Sequence, residues 1–393
     1  MYSILASAVN HPDTIERYNG LFNHRILRSL AERGVGVNAV SPRPFAPPVG
    51  PHAEYGSIPT VEDWGPYAVH HPRFWYLLPK RFFYGLAGDS FARRVPPYAD
   101  RAFETPDVVH ACHIYLDGYG VLPYVREHDL PLFVVAHGTI LNTYDDLARG
   151  VRERVRETLD EATGVLCVSD ALAERAGELT DSAKVSTVPL GADPERFPVD
   201  RREALRTELG VAPDATVVLF VGQFLKRKGV EEAVDVVRRV DDPDATFVFV
   251  GNGGDLAGEV RDALADTGRS PRLVFDGLPP VALRRWFALA DVLWLPSHTE
   301  GRPTVIYEAM ASETAVLASS VGGIPEQVVD GETGLLVEPT DVDGLEAGLR
   351  SLLADRGRTR AMGRAGRDRL LERGWTWEAH AERVQRLHEE AIE

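Results

Sequence analysis

Lysine is nearly missing from this 393-residue chain: Lys80, Lys184, Lys226 and Lys228 are the whole complement, and arginine supplies the other positive charges. Acidic residues dominate, giving a formal net charge of −16. That balance argues against nucleic acid as a partner, which calls for a basic face. It suits either a halophilic protein kept soluble in strong salt or a genome that favours arginine codons, and neither reading decides function. Cysteine is equally scarce. Cys112 and Cys167 both lie in apolar, strand-like runs. Two such thiols make no disulfide framework, so a reducing, cytoplasmic compartment is expected. No apolar run is long enough to span a membrane. The first residues, "MYSILASAVNHP", lack the basic region and long apolar stretch of a signal peptide. No short repeat, low-complexity block or Walker pattern is present.

What remains is a soluble, globular composition, 44% apolar and 26% charged, in a chain long enough for two domains. The second half alternates short apolar runs with amphipathic ones. "TVVLFVG", "TFVFVG", "RLVFDG", "VLWLPS", "AVLASS" and "GLLVEP" suit parallel strands buried on both faces. "VEEAVDVVRRV" and "LAGEVRDALA" read as helices between them. The pattern predicts a doubly wound α/β domain. The first half repeats it in "YSILASAV", "VGVNAV", "DVVHAC", "LFVVAHG", "VLCVS" and "VSTVPLG", interrupted by a proline- and aromatic-rich stretch from about 42 to 100. "GADPERFPVD" (191–200) reads as a linker, followed by a short helix stopped by Gly210. The expected division is 1–195, 196–375 and a final amphipathic helix, 376–393. Two such domains facing each other would bind ligands in a cleft at the carboxyl ends of their strands.

Three stretches carry candidate chemistry. In "SHTEGRPTVIYEAMA" (297–311) a strand ends, Glu300 and Gly301 follow, and Pro303 suits the first position of a helix. The amides of Arg302, Pro303's neighbour Thr304, and Val305 would then face a phosphate from the helix start. Glu308 sits in the apolar helix, where a carboxylate costs several kcal/mol unless it is hydrogen-bonded. Sugar hydroxyls are suitable donors, so Glu300 and Glu308 could hold the two sugars of a nucleotide-sugar. The alternative has Glu308 capping a neighbouring strand and Glu300 exposed. In "FVGQFLKRKGVEEAV" (220–234), Lys226, Arg227 and Lys228 cluster at a helix start, a placement that suits a diphosphate or an ordinary solvated turn. In "FVVAHGTI" (133–140), His137 ends a strand, where it could bond a sugar hydroxyl or be a satisfied polar group. Gly20 and Gly251 follow strands or open helices. "DDPD" (241–244) and "DVD" (341–343) are poor metal sites: the first precedes its strand and the second reads as a helix N-cap.

Taken together these stretches resemble glycosyltransferase family 4, a retaining family of the GT-B fold. "TEGRPTVIYEAMA" is similar to its paired-glutamate motif, "VGQFLKRKGV" to its phosphate-binding turn, and "VPLGADPERF" to its interdomain stretch. "SSVGGIPEQVVDGETGLLVEP" is similar to the strand, helix and strand that follow, and "VVAHG" to the active-site histidine segment. The resemblance implies two Rossmann-like domains facing a cleft, an acceptor side and a nucleotide-sugar side. It places Glu300 on the transferred sugar, Glu308 on the ribose and Lys228 on the diphosphate. His137 would lie beside the reacting sugar, and Gly20 in the loop near phosphate and acceptor. Gly222, Gln223, Arg227, Gly251, Gly301, Arg302, Pro303, Thr304 and Val305 complete the expected donor site. Two departures stand out. The residue after Gly222 is often arginine in the family and here is Gln223, with Lys226 or Arg227 available to compensate. The family's His-x-His reads here as His110, Ala111, Cys112, His113, so the second histidine is displaced.

The expected function is retaining transfer of a hexose-type sugar from a nucleotide diphosphate donor to a glycan, lipid-linked or small-molecule acceptor. No metal and no cofactor is expected, because Lys228 and a helix start would neutralise the leaving diphosphate. Rival readings are an epimerase of the same fold, a glycosidase using Glu300 and Glu308, and a non-catalytic nucleotide-sugar binder. The stretch "FWYLLPKRFFYGLA" (74–87) packs six aromatic residues around Lys80 and Arg81. It reads either as first-domain core or as a surface that meets a membrane peripherally.

Overall fold

In the computed structural model, the described residues are 2–45, 53–74, 84–240, 242–251, 253–265 and 272–393. They form two compact units. Unit 2 is continuous, Leu190–Thr376; unit 1 combines Met1–Pro189 with Trp377–Glu393. The first crossing therefore comes at Pro189, ahead of the 195/196 boundary read from the sequence. Residues 191–200 belong to unit 2 rather than forming a free linker. The last helix, Trp377–Ile392, is grouped with unit 1.

Unit 2 is a six-stranded parallel sheet. Its order is Arg272–Asp276, Ala245–Gly251, Thr216–Val221, Val292–Leu295, Ala315–Ser319, Gly334–Val337. These are the six apolar runs of the second half. The chain starts in the middle, at Thr216–Val221, winds outward, then returns to start again at Val292–Leu295. The sheet therefore has a switch point between those two strands, where ligands of such sheets bind. Every residue of Thr216–Val221 is buried, as a strand covered on both faces requires. The Val230–Val240 helix shows why the covering layer forms. Val230, Ala233, Val234, Val236, Val237 and Val240 are buried along one stripe, with acids in the first turn and arginines in the last. The core joins Phe220, Phe224, Phe247, Phe249, Trp294 and Leu317. At the amino ends of the strands Asp291 accepts from Arg202 (2.7 Å), Arg206 (2.6 Å) and the Val217 amide (2.8 Å). That buried network locks the base of the sheet.

Unit 1 carries an eight-stranded sheet. Its order is Val185–Thr187, Gly164–Cys167, Leu132–Ala136, Val108–Ala111, Ser3–Ser7, Gly36–Val40, Ala68–His70, Val61–Asp63, and only the last pairs antiparallel. Its switch point lies between Ser3–Ser7 and Val108–Ala111. The proline-rich interruption contains a helix that composition conceals, Tyr84–Ala102, with Pro96 and Pro97 inside it. In the last helix, His388 lies 2.9 Å from the Tyr2 hydroxyl and 3.2 Å from His110 Nδ1. Arg33 also donates to Gln385 at 2.8 Å. Cys112 and Cys167 are free and buried. No helix among the described residues is long and apolar enough to cross a membrane. Of the 74–87 stretch, residues 75–83 lie outside the described residues; Phe74 is buried against Phe91.

Candidate functional site

In unit 2 the two loops at the switch point hold most of the expected donor residues. After Thr216–Val221, Gly222 donates to Val250 O (3.0 Å) and a short turn, Lys226–Lys228, leads to Gly229. Gly229 has φ 66°, and a Cβ there would overlap the Pro296 carbonyl. Glycine is therefore what lets this loop lie against the loop that follows Val292–Leu295. Gly251, at the end of the neighbouring strand, makes room for a different contact: a Cβ would overlap the Phe224 ring.

Across this contact Lys228 Nζ donates to Glu300 Oε1 at 2.5 Å. The same oxygen accepts from Ser297 Oγ at 2.7 Å. His298 reinforces the junction, its amide donating to Arg227 O (2.8 Å) and its Nε2 to Glu232 Oε1 (2.8 Å). Arg227 donates to Gln223 Oε1 at 3.4 Å.

The helix after Glu300 is Thr304–Ala311. Pro303 is its N-cap, with ψ 126°, rather than its first helical residue as the sequence reading had it. The amides that open the helix are thus those of Thr304 and Val305, while Arg302 lies in the turn before it. The Arg302 side chain is buried and pairs with Glu326 at 2.6 Å. Glu308 falls in the second helical turn and is only 8% exposed. Asp341 is a helix N-cap, accepting from Gly344 at 2.9 Å.

In unit 1, Gly20 opens the Leu21–Glu32 helix with φ 67°, and a Cβ would overlap the Asn10 carbonyl. His137 follows Leu132–Ala136. Its ring packs on Phe22 (4.5 Å) and His113 (5.3 Å), and it hydrogen-bonds the Cys112 backbone. Its Nε2 is shielded from solvent and has no partner among the described residues. Burial, then the neighbouring imidazoles, holds His137 well below the usual histidine range, so the ring is neutral.

His113 packs beside His137 although it stands one place later than the family's second histidine, and a kinked turn, Ile114–Gly118, follows it. Its Nδ1 donates to Asp117 Oδ2 at 2.8 Å. Asp117 is fully buried and also accepts from Ser7 Oγ (3.0 Å) and the Val9 amide (2.8 Å). These bonds span the unit 1 switch point and orient the His113 ring, whose Nε2 lies 3.5 Å from Asn10 Nδ2.

Comparison with known proteins identifies the family and the fold. The family described as Glycosyltransferase Family 4 matches residues 21–196, and that described as Glycosyl transferases group 1 matches 201–369. A D-inositol 3-phosphate glycosyltransferase of Geodermatophilus obscurus is 31% identical over 363 residues, 84% of this chain and 76% of that protein. The chain belongs to glycosyltransferase family 4. The GDP-mannose-dependent alpha-(1-6)-phosphatidylinositol monomannoside mannosyltransferase of Mycolicibacterium smegmatis is 34% identical over 251 residues, 60% of this chain and 64% of that protein. Among solved structures, sucrose-phosphate synthase from Thermosynechococcus elongatus superposes with a TM-score of 0.82 at 21% identity over 99% of both chains. Anabaena Alr3699/HepE in complex with UDP-glucose gives 0.72 at 18%, over 98% of this chain and 99% of that one. At these identities the likeness is one of fold, and the fold is GT-B.

For a family 4 glycosyltransferase, several residues at the two switch points were not singled out from sequence. Ser297 and His298 lay inside the stretch that carries Glu300 but looked like ordinary turn residues. The i, i+4 spacing of His113 and Asp117 was a readable signal, hidden because the turn between them is not α-helical. The one group of three potential metal ligands among the described residues is Asp100, Glu127 and His128. It sits where the Tyr84–Ala102 and Tyr119–His128 helices end, before the Leu132–Ala136 strand begins, so it lies away from the switch point.

Proposed function

We propose that this family 4 glycosyltransferase transfers a hexose-type sugar, with retention and without a metal, from a nucleotide diphosphate donor to a hydroxyl-bearing acceptor. The observation that carries the reading is the Lys228–Glu300 pair at the unit 2 switch point, directly before the helix that presents the Thr304 and Val305 amides. A diphosphate would compete with Glu300 for Lys228 and take up those amides. Glu300, still held by Ser297, would then accept from a hydroxyl of the transferred sugar. Glu308 would accept from the ribose, and Arg227, next to Gln223, would add charge at the phosphates. In unit 1, the neutral His137 would bond a sugar hydroxyl.

In the chemical step the bond from the anomeric carbon to the diphosphate oxygen breaks. The acceptor oxygen bonds the same face of that carbon, and its proton passes to the leaving phosphate. Lys228 and the amides stabilise the charge that develops there, so a metal is not called for. The names of the similar proteins support a sugar-transfer reading, and the UDP-glucose complex of HepE supports a nucleotide-sugar donor. The acceptor class stays broad: a glycan, a lipid-linked sugar or a small molecule.

The test is a thermal-shift screen with UDP-, GDP- and ADP-sugars, followed by product analysis with the stabilising donor. Binding to the native state raises the midpoint by mass action. If no nucleotide-sugar shifts it, the reading fails. Donor consumed without acceptor, giving an isomeric nucleotide-sugar, would mean an epimerase instead.

A further inference from the structure

Arg302 stands in the middle of the proposed donor loop, yet its guanidinium points into the protein, 3% exposed. It lies over the Trp375 ring, 4.9 Å from the centroid, and over Tyr307 at 5.8 Å. Those two rings meet edge-on at 5.5 Å. Glu326 holds the guanidinium at 2.6 Å. Arg369 also lies over Trp375, at 5.3 Å, and donates to the carbonyls of Glu326 (3.0 Å) and Gln327 (2.9 Å).

The backbone around Arg302 is gripped from the same side. Gly323 N donates to Gly301 O at 2.7 Å, and Gln327 Nε2 donates to Pro303 O at 3.2 Å. Gly322, with φ 53°, packs so closely under the Glu300 carbonyl that a Cβ would overlap it. Trp375 is itself fixed at both places where the chain passes into and out of unit 2. Ala192 N donates to Trp375 O at 3.1 Å, and Gly191 abuts the Trp375 carbonyl.

We propose that Arg302 and Trp375 are positioning residues for the donor: their stacked contact sets the turn that aims the Thr304 and Val305 amides. This rests on the donor-site reading above. The physical argument is one of cost. A loop needing only packing would be served by an apolar side chain of the same length, since a buried ion pair gains little over one. Here a buried charge is kept, with its Nε lacking a partner among the described residues. What a planar guanidinium supplies that a methionine does not is orientation: a fork fixed on Glu326 and a face fixed on Trp375. Amides that bind phosphate need that, because a small misplacement weakens all their contacts together.

The experiment measures the affinity of UDP, GDP and ADP by calorimetry for the wild type, Arg302→Met, Arg302→Lys and Trp375→Phe. It also measures the thermal midpoint of each protein without nucleotide. Arg302→Met should weaken the best wild-type diphosphate by at least ~10-fold, the scale of one lost contact, while its midpoint stays at or above the wild-type value. Arg302→Lys keeps the charge but not the planar face and should lose at least ~3-fold, while Trp375→Phe, which keeps a ring, should stay within ~3-fold of wild type. A purely structural role would lower midpoint and leave affinity intact, and that result overturns the proposal. So does wild-type affinity in Arg302→Lys, which decides the matter if Arg302→Met does not fold. If none of the three diphosphates binds the wild type, the donor-site reading falls and takes this inference with it.

Discussion

Lys228 Nζ and Glu300 Oε1 lie 2.5 Å apart although 72 residues separate them in the chain. One follows the first strand of the unit 2 sheet and the other follows the strand beside it. Lys228→Ala should lower kcat/KM by about 30-fold or more, the ~2 kcal/mol expected for one charge-assisted contact to a leaving group. Glu300→Gln should lower turnover more than donor affinity. Both measurements should be unchanged by EDTA in the wild type. Activity abolished by chelator and restored by magnesium or manganese would contradict the role given to Lys228.

Glu308 is predicted to act on binding alone. A ribose contact is made equally in the ground and transition states, so Glu308→Gln should raise the donor KM and leave kcat near wild type. Steady-state kinetics with varied donor decides it; a fall in kcat with unchanged KM would assign Glu308 to the chemical step instead.

Arg227 and Gln223 form a pair that can be exchanged. Arg227→Ala should weaken the diphosphate, and adding Gln223→Arg should restore most of the loss, because the cation returns to the same place by another route. Donor affinities of the two single variants and the double variant give the coupling. Additive losses would show that Arg227 does not stand in for the missing arginine.

Gly229 should tolerate no side chain. Its φ of 66° and the Pro296 carbonyl against it put Gly229→Ala at a cost of about 1–3 kcal/mol, read as a lower urea midpoint. The same variant should lose donor affinity, because Lys228 is the residue next to it.

Acid should loosen unit 1 before unit 2. Burial pushes His11 and His110 down to about 3, and His24 and His380 down to about 4, each neutral in the fold. The unfolded chain takes up those protons near the ordinary value of about 6.5. The unfolded state then binds more protons, so stability is full above that pH and falls as pH drops from about 6.5 toward 3–4. All four residues are in unit 1, while unit 2 contains a single histidine, His298. Hydrogen exchange, corrected for intrinsic rates, should show unit 1 opening more often at pH 5 than at pH 7, with unit 2 little changed.

The strands of unit 2 could be read directly because parallel strands buried on both faces are continuous apolar runs, and each run named from the sequence became a strand. The Tyr84–Ala102 helix could not, because Pro96 and Pro97 are breakers by local propensity and only packing reveals that they lie in a helix. At the site, the segments were legible but not the pairings. That Lys228 meets Glu300 depends on sheet order, and that Asp117 holds His113 depends on a kinked, non-helical turn. Arg302 was placed in the donor site from its neighbours, and the local sequence carries nothing to show that its side chain turns inward to Trp375, 73 positions further on.

The packing of Trp377–Ile392 within unit 1 has a consequence for synthesis. As the polypeptide leaves the ribosome, residues 190–376 are available as a whole, while the segment that precedes them still waits for a helix not yet translated. The part made first is thus the part completed last, and the hydroxyl of Tyr2 meets its partner only when a residue 386 positions later has been added. A stop codon placed shortly before His388 would leave the second unit intact and be felt at the very beginning of the protein.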